Sequence, residues 1–269
     1  MRFALPDAAT GVRPHALWHK HVHNVELDPI QCLKMQEMDE HPNTVDFSCR
    51  RTGKTAVKEM YHLEMLATTP FQELGIVAPR MQQSQNNLNY LIDGVRRGKA
   101  LEAFVAYKQG RPQLKDTSFA FANGSKASAY GIMSQIDGDS ITMASLEETD
   151  DMPQDRLMSR FLPMLGAARR LGVNRRDVEF KPSIRISGVY KGADVLQRLI
   201  DTGEYHTLPT VDVHLGVALG MVDANWARSM QIQLPPEEYI RQFLCRNIRA
   251  RNWIWEEHIR RASALGLEA

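Results

Sequence analysis

From about residue 26 onward the apolar positions switch between a spacing of three or four and a spacing of two, the periods of an amphipathic helix and of a half-buried strand. "DPIQCLKMQEM" (28–38) predicts a helix with Asp28 as N-cap and Pro29 at the first helical position, where proline's missing N–H costs nothing. "TVDF" (44–47) alternates as a strand, and "TAVKEMYHLEMLA" (55–67) sets Val57, Met60, Tyr61 and Leu63 at helical spacing. A buried strand at 74–79 and a polar helix at 81–98 come next. Short strands at 118–123 and 126–132 flank a turn at Asn123-Gly124. A further strand at 140–146 runs into the acidic stretch "EETDDMP". A helix at roughly 156–171, a strand near 183–187 and a helix at 192–202 complete the series. Strand–loop–helix units repeated in this way predict an α/β fold, a mostly parallel sheet flanked by helices. The tail, 236–263, reads as helical and is rich in arginine and tryptophan.

Residues 1–24 have little packing pattern and read as an arm. They carry His15, His19, His21 and His23, and the four-residue step from His15 to His19 would turn both rings to one helix face, where a metal could bind. No carboxylate or cysteine lies in the cluster, and a solvated histidine-rich arm accounts for it as well.

Composition narrows this picture little. The chain has 269 residues, enough for one large domain or one domain with an appendage, and its 43% hydrophobic and 24% charged content is that of a soluble globular protein. A formal net charge of +1 supplies no global field, so nucleic acid or membrane would have to be met by local patches. Cys32, Cys49 and Cys245 share no metal-ligand spacing and leave one thiol over after any pairing, which suits a reducing compartment. No apolar run approaches about 18 residues, and the start reads as no signal peptide. A cytoplasmic protein is the expectation.

The chemistry gathers in "SCRRTGKT" (48–55). A phosphate-binding loop needs backbone amides at a helix start, a lysine for the β/γ-phosphates and a Ser or Thr hydroxyl for Mg²⁺. Gly53, Lys54 and Thr55 meet those needs, between a predicted strand and a predicted helix, although Ser48 stands where the usual pattern has its first glycine. The other half of such a site is a strand ending in acids, one carboxylate for the metal shell and the next for the attacking water. Glu147 and Glu148 occupy those positions, with Asp150 and Asp151 as competitors. Taken alone, the acids read equally as a solvated turn before Pro153.

Together these segments resemble the ATPase motor of tailed-phage large terminases, over about residues 26–250. In that family a glutamine upstream of the loop reads adenine, and Gln31 matches it; an arginine within the loop, matching Arg50, senses the γ-phosphate. A non-glycine residue at the first loop position is tolerated there. "NGSKASAYGIMSQIDGDSITMASLEETDDMP" (123–153) is similar to the family's succession of turn, strands and paired acids. "IRISGVYKG" (184–192) is similar to its coupling motif, which places Ser187 and Gly188 in that role. The resemblance implies a P-loop ATPase of RecA/ASCE type that binds ATP and Mg²⁺ through Gln31, Ser48, Cys49, Arg50, Arg51, Thr52, Gly53, Lys54 and Thr55. Thr55 and Glu147 would serve the metal and Glu148 the water. It implies an arm at 1–24, an ATPase core at 25–205 and a helical C-terminal subdomain at 206–269. The implied partners are double-stranded DNA, a portal protein, a small terminase subunit and further copies of the chain in a ring on the procapsid, in the host cytoplasm and away from membranes.

Three departures qualify the likeness. The first acid is Glu147 where aspartate is usual, and Asp137 stands where the family has an arginine that reaches a neighbouring subunit; Arg156 and Arg160 are the replacements on offer. The family's nuclease, with its strand-borne aspartates, has no counterpart seen in the sequence after Ile248, so the expectation is a motor without its cutter: a split gene, a truncated chain, or a protein whose nuclease is a separate chain. Two basic patches would grip DNA phosphates: Arg169, Arg170, Arg175 and Arg176, and the tail's Arg241, Arg246, Arg249, Arg251, Arg260 and Arg261. Solvated helix faces paired with Asp177, Glu179, Glu256 and Glu257 are the plainer account of them, and Trp253 and Trp255 suit packing better than base stacking. Two other classes stay open at this stage: a helicase-type nucleic-acid ATPase, and a non-catalytic scaffold that binds nucleotide or DNA.

Overall fold

The computed structural model describes residues 13–133, 140–166, 182–190 and 195–247. In chain order the elements are α1 (His15–His23), α2 (Pro29–Glu40), β1 (Asn43–Asp46), α3 (Lys54–Thr68), β2 (Glu73–Ala78), α4 (Met81–Arg97) and α5 (Lys99–Phe104). Next come the short strands β3 (Tyr107–Lys108), β4 (Arg111–Pro112), β5 (Leu114–Lys115) and β6 (Ser118–Ala120), then β7 (Lys126–Gly131), β8 (Met143–Glu147) and the single turn α6 (Gln154–Arg156). The series ends with β9 (Ser183–Ser187), α7 (Val195–Asp201), β10 (His206–Thr207), α8 (Val213–Ala218), α9 (Ala224–Gln233) and α10 (Pro236–Gln242).

An eight-stranded sheet in the order β10-β1-β9-β8-β2-β7-β6-β5 runs through the molecule. Every neighbour from β10 to β7 is parallel, and β6 and β5 add an antiparallel edge. This is the mostly parallel α/β class the pattern predicts. The central strands β2 and β8 are buried along almost their whole length, as parallel strands covered on both faces must be.

Alternation along those strands splits the core in two. Leu74, Ile76 and Met143 join Leu63, Leu66, Leu88 and Leu91 of α3 and α4 on one side. Val77, Ala144 and Leu146 join Phe161, Leu196 and Leu199 on the other. Each fully buried side chain of this kind contributes about 1.5–3 kcal/mol. Gly75 keeps this layer close: a Cβ there would lie 2.8 Å from Ile141 Cδ1 and 3.3 Å from Phe161 Cζ, so both side chains would have to shift. A third, smaller cluster packs Val213, Val222, Ala227, Tyr239 and Phe243 of the C-terminal helices around Cys49.

Three expectations are corrected. Residues 15–23 of the expected arm form α1, anchored by buried Trp18. The rings of His15, His19 and His23 are buried, not solvated, and their acids come from afar: His15 Nδ1 lies 2.8 Å from Glu64 Oε2 on α3, and its Nε2 lies 3.2 Å from Asp39 on α2. Among the described residues no group of three or more His, Cys, Asp or Glu is arranged to hold a metal ion. Second, the tail is not one helix from 236: α10 stops at Gln242, and Cys245 takes a left-handed φ of 53°. Third, the sheet continues past the core boundary expected at 205, because β10 pairs with β1. Among the described residues no helix is long and apolar enough to cross a membrane.

Candidate nucleotide-binding site

Strand β1 ends at Asp46, and the next seven residues turn back to start α3. Asp46 organises that turn: its Oδ1 accepts from the Ser48 amide at 2.9 Å, and its Oδ2 accepts from the buried Lys34 Nζ at 2.7 Å. Lys34 also donates to Ser48 Oγ at 2.8 Å, and the Val211 amide donates to the same oxygen at 3.0 Å. The first loop position is therefore a serine for a reason: its hydroxyl ties the loop to α2 and to the segment after β10, which glycine cannot do. Gly53, at φ 75°, is the N-cap of α3 and adopts the left-handed conformation that glycine tolerates best. The helix start, with its unpaired amides and positive dipole end, favours an anion.

Lys54 Nζ donates to Ser48 O at 2.9 Å and to Gly188 O at 3.0 Å, so it spans the loop and the end of β9. Burial pushes its ammonium below the usual lysine range, against the opposing pull of Asp46 and Glu147. Thr55 Oγ1 donates to Glu147 Oε1 at the end of β8, which sets a hydroxyl and a carboxylate side by side. The other oxygen of Glu147 accepts from Lys58 Nζ at 2.6 Å, and Lys58 also donates to Leu146 O at 3.0 Å. Glu148 follows with a left-handed φ of 49°. Its Oε2 accepts from Gln83 Nε2 at 2.8 Å, while Gln83 Oε1 accepts from the Arg80 amide at the start of α4 at 3.1 Å. Gln83 thus holds Glu148 from a helix that is itself capped by the same side chain.

Glu147 and Ser187 are register partners across β8 and β9, and the Glu148 amide donates to Ser187 O at 3.2 Å. The Gly188 amide donates to Asp46 O at 3.2 Å. The Ser187 hydroxyl is buried with no hydrogen-bond partner. Loop, acid strand and β9 end are therefore one bonded unit.

A cavity of about 900 Å³ opens over this unit. Its wall includes Arg50, Arg51, Gly53, Lys54, Thr55, Glu147, Glu148, Ser187 and Gly188, all anticipated from sequence. Ser48, Cys49 and Thr52 are not on it. The Ser48 and Cys49 amides are bonded within the protein, to Asp46 and to Val211 O at 2.8 Å. Cys49 packs instead into the C-terminal cluster, and burial pushes its thiol up to about 11. Thr52 Oγ1 is turned back onto Cys49 O at 2.8 Å. Gln31 stands beside the loop, its Nε2 3.9 Å from where a Cβ on Gly53 would be, while its Oε1 accepts from the Asp28 amide at 2.9 Å. Asp150, which lines the cavity, accepts from the Leu196 amide at 3.1 Å and so also steadies the start of α7.

Lys58, Gln83 and Trp226 were missed by sequence reasoning. Lys58 had a signal, since a lysine one residue after Val57 and three before Tyr61 falls inside an apolar helix face, and a buried lysine needs an acid. Its partner lies 89 residues away, which no local pattern reveals. Arg241 pairs with Glu238 at 2.7 Å and Arg156 donates to Met133 O at 3.2 Å. Asp137, Arg169, Arg170, Arg175, Arg176, Arg249, Arg251, Arg260, Arg261, Trp253 and Trp255 lie outside the described residues.

Comparison with family models and with curated sequences returns no match. Solved structures do match. The ATPase domain of the Thermus phage P74-26 large terminase superposes with a TM-score of 0.63 at 12% identity, over 91% of this chain and 99% of that one. The bacteriophage HK97 large terminase gives 0.61 at 17% identity, over 82% of this chain and 50% of its own. The large terminase of a further thermophilic bacteriophage, in complex with ATP-gamma-S, gives 0.57 at 12% identity, over 81% and 52%. The chain spans about half the length of these last two proteins. At these identities the likeness is one of architecture, and the chain shares the fold of the ATPase domain of phage large terminases.

Proposed function

We propose that the chain is an ATPase that drives double-stranded DNA into a viral procapsid, the motor part of a large terminase. The observation that carries this reading is the convergence of Lys54, Thr55, Glu147 and Glu148 on one cavity at the N-terminus of α3. The three proteins compared above are large terminases by name, and one of them was solved with an ATP analogue bound.

The adjacent Thr55 hydroxyl and Glu147 carboxylate suit Mg²⁺, a hard cation that takes oxygen ligands. That ion would supply neutralisation of phosphate charge. The chain's own groups do the rest. Amides at Gly53–Thr55 and the Lys54 ammonium hold the phosphates. Glu148, fixed by Gln83, orients the attacking water and draws off its proton. Arg50, exposed on the cavity wall, meets charge developing on the γ-phosphoryl group. Ser187 and Gly188 pass on the change, because Gly188 O is a Lys54 partner and the Ser187 hydroxyl is available for a new bond.

Phosphate release measured with and without linear duplex DNA tests the reading. ATP hydrolysis that rises with DNA is expected; no hydrolysis in either condition, even with portal and small subunit present, contradicts it.

A further inference from the structure

The cavity has two chemically different ends. One is built by α3 and the ends of β8 and β9 and is polar and charged; the other is built by α9 and α10 and presents Trp226, Met230, Leu234 and Phe243. A ligand that fits both carries anionic groups at one end and a flat apolar group at the other. Trp226 offers a broad, flat, half-buried surface at the apolar end, with the Phe243 ring tilted against it at a centroid distance of 5.4 Å. The Arg51 guanidinium lies 4.7 Å over the indole centroid, which marks the ring face turned toward the phosphate loop.

We propose that Trp226 is the stacking platform for the purine base of the nucleotide whose phosphates lie at Lys54 and Thr55. This rests on the nucleotide reading above and adds where the base goes. Gln31 is tied at its Oε1 to the Asp28 amide and does not line the cavity, whereas Trp226 does. The base takes the indole face from Arg51, an exposed side chain whose cation–π contact is weak enough to be exchanged. Arg51, two residues before Gly53, is then released next to the phosphates. Binding nucleotide would in this way join the loop to α9.

The experiment compares ATP with inorganic tripolyphosphate by calorimetry in the wild type, Trp226→Ala, Trp226→Phe and Tyr90→Ala proteins, Tyr90 of α4 being an exposed aromatic on the same cavity wall. The wild type is expected to bind ATP more tightly than tripolyphosphate by roughly tenfold or more, the scale of one base–aromatic stack. Trp226→Ala should erase that gap while tripolyphosphate, with Arg51 already freed from the ring, binds no less tightly than to the wild type, and Trp226→Phe should restore most of the gap. An unchanged gap in Trp226→Ala, equal weakening of both ligands, or loss of the gap on Tyr90→Ala instead would overturn the assignment. Wild-type protein that binds tripolyphosphate and ATP equally refutes the platform alone; wild-type protein that binds neither refutes the nucleotide reading itself.

Discussion

The two ends of α3 both bury charge, and they do opposite things with it. At the N-terminal end Thr55 and Lys58 bond Glu147 at the rim of an open cavity that Lys54 also lines, so the charges are arranged for something beyond the protein. Toward the C-terminal end Glu64 is enclosed by His15 and His19, with all three side chains buried. There the pairing closes on itself and docks α1. Buried charge is thus a poor marker of a functional site; a cavity beside it is the better one.

That contrast can be broken most sharply from the catalytic side. Lys54→Ala and Glu148→Ala are each expected to abolish measurable ATP turnover, with a loss on the order of 10²–10⁴-fold. Only the Glu148 variant should retain ATP binding. Robust hydrolysis by it would move the water-activating role elsewhere, Asp150 and Asp151 being the other acids on the wall.

The enclosed end should respond in stability instead. Glu64→Ala leaves His15 and His19 without their shared acid and is expected to cost about 3–5 kcal/mol in a denaturant titration. ATP affinity per folded molecule should not change, and a parallel loss of affinity would mean that the two ends are coupled. Gln83→Ala should be milder: with Glu148 no longer held, turnover falls roughly tenfold while nucleotide affinity stays the same. A change in affinity without a change in turnover would give Gln83 a different task.

The smallest expected effect is on pH. Burial lowers a histidine, but Asp39 and Glu64 outweigh it at His15 and raise that ring to about 9. Its contribution is complete below the ordinary value of 6.5 and is lost as pH climbs through 9. Burial, with the charges of His19 and Arg97, lowers His23 to about 4, so its contribution is present above 6.5 and falls away as pH drops toward 4. Docking of α1 should therefore be firmest near pH 6.5 and weaken on both sides, as read by amide exchange in residues 15–23. His15→Gln should flatten the alkaline side alone; if it flattens neither, the assignment of that limb to His15 is wrong.

The same contrast explains what was legible in the sequence. Strands β1, β2, β7, β8 and β9 and helices α2, α3 and α4 announce themselves because each buries a periodic set of residues, and a P-loop is local by construction. The paired acids were legible too, since a strand ending in Glu147-Glu148 needs no distant information. Whatever depends on a partner far along the chain was not. The histidines of α1 invited a metal or solvated reading because Asp39 and Glu64 lie in other helices. Ser48 looked like a tolerated oddity until Lys34 and Val211 were seen to meet its hydroxyl. Cys49 fell inside the loop motif, yet its side chain belongs to a cluster whose other members begin at Val213.

The most direct measurement is a structure of the chain with Mg²⁺ and a non-hydrolysable ATP analogue. The triphosphate should lie between the Gly53–Thr55 amides and the Glu147–Glu148 carboxylates, with the metal at Thr55 and the γ-phosphate facing Glu148. A nucleotide bound elsewhere, or phosphates held by the loop while both carboxylates point away from them, would contradict the proposed motor chemistry.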